Sequence, residues 1–263
     1  MLNTRMREVW ASGGIAYGSW IGFDDVGVAE SVAAVDYDFN CIDTQHGGSS
    51  YEASLEMLHV IDRGVGTPTV RVPWNEPGII GKTLDAGANA IVVPMVNTVA
   101  EAEAAVAYTY YAPKGARSWG PVRAAMRGAG YTPEAANAAN VIIPMIETTQ
   151  AISNLDDILA IDGIDAIYVG PADLSITLGL PPGNNDGEPA FDDALATIVA
   201  ACDNAGVIAG IHANPALAST RAEQGFRMIT VGHDQVLLRG ALASALATSR
   251  GEAPAASDTK SIY

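Results

Sequence analysis

The chain has 263 residues, with 14 Lys and Arg against 30 Asp and Glu, a formal net charge of −16. Hydrophobic residues at 49% exclude wholesale disorder, and the charge excludes a nucleic-acid or anionic-membrane surface, because both need clustered cations. The length suits a single domain over 1–263, since one α/β barrel takes about 250 residues.

In chain order, residues 1–10 hold no apolar run of signal-peptide type, and no stretch reaches the ~18 apolar residues of a membrane span. A cytoplasmic protein is expected. Short Val- and Ile-rich runs then recur at 14–22, 39–43, 68–73, 90–96, 141–147, 166–170, 207–212 and 228–232. Most are continuous rather than alternating, as in strands of a parallel sheet buried on both faces. Between them, Ala/Leu/Glu-rich segments with helical spacing fall at 50–63, 77–86, 98–111, 149–160, 192–205 and 215–224. Strand then helix, about eight times, predicts a (β/α)8 TIM barrel with an N-terminal helix, a C-terminal helix and an extended tail over 251–263. A doubly wound open sheet fits less well, because GxGxxG is absent after the first strand. Two long connections, 111–140 and 177–190, are read as following strands and so as lying at the C-terminal face. Within the second, Asn185-Asp186-Gly187-Glu188 lacks EF-hand spacing and reads as a turn. Cys41 and Cys202 have no CxxC spacing and read as buried, reduced thiols.

In a barrel, polar residues at the C-terminal ends of strands are the candidates for chemistry. Glu147 and Asp173 end adjacent strands. Two carboxylates that close must share a proton or bind a cation, and two acids with room for water and substrate oxygens suit Mg²⁺ or Mn²⁺. The alternative is that each caps the following helix, with Glu147 pairing to Arg71. Arg71 lies inside an apolar strand, so it either neutralises a carboxylate or faces an anionic ligand. His46, after Asp43 and Gln45 and before two glycines, is a candidate general base or a structural histidine. Asp85 precedes the fourth strand, nominally at the wrong end. His212 is either pocket wall or structural. His59 reads as a surface residue, and His233 beside Asp234 as a cap on the last helix. There is no GxSxG, HExxH or Walker loop, and no Lys at a strand end for a Schiff base.

The blocks Ile42-Asp43-Thr44-Gln45-His46, Val70-Arg71-Val72-Pro73, Leu84-Asp85-Ala86-Gly87, Val93-Pro94-Met95-Val96, Ile146-Glu147-Thr148 and Gly170-Pro171-Ala172-Asp173-Leu174-Ser175 resemble the HpcH/HpaI family. These are metal-dependent, class II pyruvate aldolases of the 4-hydroxy-2-oxoheptanedioate or 2-keto-3-deoxy-sugar-acid type. The likeness runs from Trp20 to the end of the chain, Lys260–Tyr263 included. It implies that Glu147 and Asp173 bind Mg²⁺, Mn²⁺ or Co²⁺, which pyruvate chelates, and that Arg71 stabilises the enolate. It further implies that backbone N–H groups around Ala172 and Asp173 hold the substrate carboxylate, with Gly170 and Pro171 beside the substrate. His46 and an Asp85 from a neighbouring subunit would move the 4-hydroxyl proton, with Asp43 and Gln45 beside the substrate. Trp20 and His212 would line the aldehyde pocket. The family is usually hexameric, with the last helix exchanged between subunits, so a homo-oligomer (trimer or hexamer) is expected. Gln45 stands where Glu is common, and His212 where many members are apolar.

Other readings compete. A citrate-lyase-β-like CoA-thioester lyase needs cations at the barrel mouth, and Arg117, Arg123 and Arg127 are the one cluster on offer. A non-catalytic binding barrel predicts no turnover. A phosphate-binding isomerase lacks its Gly-rich loop at Val231-Gly232-His233.

Overall fold

The computed structural model describes residues 2–127 and 130–253; Gly128 and most of the expected tail lie outside the described residues. Its eight strands are β1 (Ala16–Ile21), β2 (Phe39–Asp43), β3 (Thr67–Arg71), β4 (Ala90–Val93), β5 (Val141–Pro144), β6 (Ala166–Val169), β7 (Ile208–His212) and β8 (Met228–His233). They pair in parallel in the order β5-β4-β3-β2-β1-β8-β7-β6. The gap between β5 and β6 is bridged where Met145 pairs with Tyr168 and the Ile146 N–H donates to the Tyr168 carbonyl at 2.9 Å. The sheet curls into the (β/α)8 barrel that the alternation predicts.

The helices are α1 (Arg5–Ala11), α2 (Val26–Ala33), α3 (Tyr51–Ile61), α4 (Pro77–Asp85), α5 (Val99–Thr109), α6 (Pro133–Ala139), α7 (Thr149–Ser153), α8 (Leu155–Leu159), α9 (Pro171–Thr177), α10 (Pro189–Ala205), α11 (Ala218–Gln224) and α12 (Asp234–Ser249). Side-chain caps start several of them: Ser50 on α3, Thr148 on α7, and a Thr98–Glu101 capping box on α5.

Because each strand is buried on both faces, alternate residues serve two cores. Ile42, Val70, Ile91, Ile142 and Ile211 pack outward with the helices, while Phe39, Cys41, Val92, Ile143 and Tyr168 fill the interior. Gly18 faces Phe39, whose ring a Cβ there would overlap, so glycine leaves room for the interior aromatic. α1 closes the N-terminal end: Met6 joins the interior core, and Arg7 forks onto Asp165 at 2.8 and 2.7 Å.

The structure departs from the sequence expectations at four places. The 111–140 connection follows α5, a helix, so it lies at the N-terminal face and not the C-terminal one. There Arg123 donates to the Leu58 and Ala86 carbonyls and Arg127 to the Gly87 carbonyl. The helix expected over 149–160 breaks at Asn154, whose amide turns to the Asn97 carbonyl at 2.7 Å. α6 occupies part of the 111–140 stretch read as a connection, although Thr132 caps it, while α2, capped by Asp25, and α9, opened by Pro171, are the helices that follow the first and sixth strands. Asp234 does more than begin the last helix, since its carboxylate accepts from Gly22 N–H at 2.9 Å and Phe23 N–H at 3.0 Å and so ties α12 to the end of β1.

The 177–190 connection lies at the C-terminal face as expected. Asn185 Nδ2 donates to the Pro181 carbonyl at 2.7 Å, and the fully buried Arg221 of α11 forks onto Asp186 at 2.6 and 2.9 Å. Cys41 and Cys202 are free and buried. α12 exposes Leu237, Leu238, Leu242 and Leu246. Among the described residues no helix is long and apolar enough to cross a membrane.

Candidate active site

Strand pairing decides where the central charge goes. Asp43 and Arg71 are register partners across β2 and β3. Arg71 donates through Nε to Asp43 Oδ1 at 2.9 Å and through Nη2 to Oδ2 at 2.5 Å, a fork between two almost fully buried side chains. Asp43 also accepts from Trp20 Nε1 at 3.2 Å and from the N–H groups of Gln45 at 3.0 Å and His46 at 3.2 Å. Burial pushes the Asp43 carboxyl up, but Arg71 and these N–H donors outweigh it and hold the group below its usual range. The Asp43 oxygens thus aim Arg71 and order the loop after β2. The fork that the sequence offered to Glu147 engages Asp43.

Glu147 is 2% exposed. Its Oε1 accepts from the Met95 N–H at 2.8 Å, and Met95 presents that N–H from the left-handed region at φ 55°. On the other side, a Cβ at Gly170 would collide with Glu147 Oε2, so glycine lets β6 approach the acid. Burial, and then the charge of Asp173, push the Glu147 carboxyl up to about 7 against the pull of the Met95 N–H and Arg71. Neither acid is a helix cap: Thr148 caps α7, and Gly170 is the N-cap of α9, with Asp173 inside its first turn.

One narrow cleft at the C-terminal ends of the strands is lined by Trp20, Arg71, Met145, Glu147, Tyr168, Gly170, Pro171, Ala172, Asp173 and His212. Eight of the residues singled out from sequence therefore meet there. Trp20 stacks on Tyr168 at 5.4 Å between ring centroids, meets His212 edge-on at 5.2 Å, and lies 5.0 Å from the Arg71 guanidinium. Gln45 and His46 sit on the adjoining loop rather than in the cleft wall, and His46 is exposed. Asp85 ends α4 at the opposite end of the barrel and pairs with Arg117 at 2.5 Å. The structure adds Tyr168 and Met145, which read in sequence as plain core. Their cue is parity, since Tyr168 shares the inward face of β6 with Gly170. His59 is exposed and bonds its own helix at Leu55 O, 2.7 Å away. A roomier cavity of about 260 Å³ beside Trp74 and Ala104 contains Glu101 as its one titratable lining group.

Arg117, Arg123 and Arg127 do not form an anion site at the mouth. They lie at the far end, engaged with Asp85 and Asp62. This removes the cations that a CoA-thioester lyase would need there.

The donor set suits a hard divalent cation. Asp43, Glu147 and Asp173 against Arg71 leave the ionised site two charges negative. Among the described residues no three His, Cys, Asp or Glu side chains converge as a ligand group. Two carboxylates with remaining positions for water and substrate oxygens is the pattern of Mg²⁺ or Mn²⁺ rather than of a closed structural zinc.

The profile of the HpcH/HpaI aldolase/citrate lyase family matches residues 17–241. A hydroxypyruvate/pyruvate aldolase from Rhizorhabdus wittichii is 36% identical over 248 residues, 94% of this chain and 98% of that protein. A 4-hydroxy-2-oxo-heptane-1,7-dioate aldolase from Salmonella arizonae is 36% identical over 267 residues, the full length of both. The crystal structure of a HpcH/HpaI aldolase/citrate lyase family protein from Burkholderia cenocepacia J2315 superposes with a TM-score of 0.88, at 32% identity, over 94% of this chain and 99% of that one.

Proposed function

The chain belongs to the HpcH/HpaI aldolase/citrate lyase family, a family of carbon–carbon lyases, and from that premise we propose that it reversibly cleaves a 4-hydroxy-2-oxo acid to pyruvate, or a related 2-oxo acid, and an aldehyde. The observation that carries this reading is the convergence of Arg71, Glu147 and Asp173 in one cleft at the ends of β3, β5 and β6.

Cleavage removes the 4-hydroxyl proton, breaks the C3–C4 bond and leaves an enolate at C2–C3. Arg71 donates to the 2-oxo oxygen, where negative charge grows, and its fork on Asp43 holds the guanidinium in place before the substrate arrives. Glu147 and Asp173 would hold a divalent cation, which would supply Lewis-acid charge to the enolate; Mg²⁺, Mn²⁺ and Co²⁺ all suit the donors. Trp20 and Pro171 wall the cleft and keep bulk water from the enolate. His46 takes the 4-hydroxyl proton through a water, with Asp85 of a neighbouring copy behind it. We read the enzyme as a cytoplasmic homo-oligomer, trimeric or hexameric; Asp85 at the far end of its own barrel and the exposed leucines of α12 support the association of subunits.

The test is hydrogen–deuterium exchange of the pyruvate methyl group, followed by NMR with Mg²⁺, Mn²⁺ or Co²⁺ and again after chelation. Exchange that needs metal and is lost in Arg71→Ala is the expected result. Absence of both exchange and retro-aldol cleavage with every metal refutes the reading.

A further inference from the structure

Glu147, one acid of the proposed metal pair, is aimed by a backbone group. Its Oε1 accepts from the Met95 N–H at 2.8 Å, and its Oε2 lies toward Gly170, which opens the turn that carries Asp173. Met95 reaches the acid at a cost. It is the one residue other than glycine, among those described, with a positive φ, a conformation that crowds an L side chain. Such a conformation persists only where the surroundings impose it.

One side chain imposes it from both ends. Asn97 Nδ2 donates to the Met95 carbonyl at 2.9 Å, and Asn97 Oδ1 accepts from the hydroxyl of Thr148, the residue after Glu147. The bonds close a ring: Met95 N–H to Glu147, along the chain to Thr148, Thr148 to Asn97, and Asn97 back to Met95. Asn97 is itself held. Its N–H donates to Glu101 Oε2 at 2.8 Å, and its carbonyl accepts from Asn154 Nδ2 at 2.7 Å, at the break between α7 and α8. An amide suits this place because one end donates and the other accepts; a carboxylate could not donate to the Met95 carbonyl.

We propose that Asn97, which lies outside the cleft lining, is a positioning residue for the metal site: by holding Met95 in the left-handed conformation it keeps the Glu147 carboxylate turned so that Oε2 is left for the cation. The proposal rests on the reading of Glu147 and Asp173 as the metal pair. Fixing a ligand's orientation before the ion arrives raises affinity without any new contact to the ion.

The readout is affinity for Mn²⁺ alone, without substrate and at one pH, from the electron paramagnetic resonance signal of the free ion. Asn97→Ala is expected to weaken binding about tenfold, the lower end of the loss when the hydrogen bonding behind a metal ligand is removed. Met95 lines the cavity beside Trp74 rather than the core, and glycine adopts positive φ freely, so Met95→Gly alone should bind within about twofold of native. In the Met95→Gly background, Asn97→Ala should cost only about threefold, because the turn no longer has to be imposed. A merely structural asparagine lowers the urea midpoint and leaves the Mn²⁺ affinity of the folded protein where it was. That result, or a tenfold loss in both backgrounds, overturns the proposal. Should Asn97→Ala fail to fold, Asn97→Ser, too short to span both partners, is judged by the same criterion. Mn²⁺ binding that is lost in Glu147→Gln but kept in Asn97→Ala sinks this inference alone. No saturable binding by the native protein, or binding that Glu147→Gln leaves intact, sinks the metal-pair reading and this inference with it.

Discussion

Replacing Asp43 with alanine strips Arg71 of its buried partner. Arg71 and Asp43 side chains are 4% and 1% exposed, so the guanidinium loses its forked partner with little water to replace it. Removing one member of a buried ion pair costs about 3–5 kcal/mol. The lost bonds from Gln45 and His46 add less, because both residues reach solvent and their N–H groups rehydrate. A loss of about 4 kcal/mol is expected, within the ~5–15 kcal/mol that a folded domain has available. Activity should fall more steeply than stability, by about a hundredfold or more, since Arg71 is then no longer held toward the charge that develops. The assay is urea unfolding at one protein concentration, run as a double-mutant cycle with Arg71→Met. The coupling should be at least about 2 kcal/mol, because the double variant removes both charges together. The pH dependence follows from the depressed Asp43 carboxyl. Its contribution is fully present above the unfolded value near ~3.9 and is lost as pH falls through the lower folded value, so the penalty should be flat from pH 8 to 5 and shrink in stronger acid. A penalty under about 1 kcal/mol with no coupling would refute the reasoning.

Glu147, raised to about 7, keeps a proton that the unfolded chain has released, so the metal-free protein should lose about 3 kcal/mol of stability as pH climbs from ~4.3 to ~7. Thermal unfolding after chelation checks this, and the same slope in Glu147→Gln would show that the acid is not its source. The double variant Glu147→Gln/Asp173→Asn brings the site from two negative charges to none, so titration calorimetry should find it binding pyruvate without metal, whereas the native protein should need the metal. Equal pyruvate affinity of the native protein with and without chelator counts against this electrostatic account. Arg221→Ala should cost about 3 kcal/mol and open 178–188 to proteolysis, because it orphans Asn184 and Asp186 on that connection. Unchanged urea midpoint and cleavage rate would show that the connection holds itself in place.

Much of this architecture is legible before folding, for a physical reason. Strands buried on both faces carry no polar alternation, so an inward charge such as Arg71 or a terminal acid such as Glu147 stands out against the cost of placing it there. What the sequence does not show is pairing. Asp43 and Glu147 are equally plausible partners for Arg71 until the β2–β3 register sets Asp43 beside it. Tyr168 reads as one more large core residue, because the groups that give its hydroxyl a task, Thr230 and His212, come from β7 and β8. The 111–140 segment misleads differently. Its glycines and prolines resemble an active-site loop, but a connection that runs from a helix to the next strand returns to the N-terminal face. In α2, Gly27 and three valines give a weak helical signal, and Asp25, accepting from Val28 N–H at 2.9 Å, marks its start.

A chain of net charge −16 that takes an anionic substrate needs a local exception to its own field. Arg71 does not provide it. Its charge is matched by Asp43 at hydrogen-bond distance, so what remains to it is direction: a fixed donor aimed where an oxyanion forms. On the proposed reading the positive charge is imported, and Glu147 and Asp173 would be the groups that import it. Burial makes that pair uncomfortable when empty, which is why Glu147 holds a proton up to about 7. Proton and divalent cation then compete for the same oxygens, and the competition falls across neutral pH. A monovalent ion would leave the site negative, and a substrate carboxylate would still be repelled. A divalent ion cancels the excess and lets the acid approach Arg71. On the proposed reading the two-charge deficit of the site predicts three properties together: a preference for a divalent metal, a dependence of substrate binding on it, and a weakening of both toward acid.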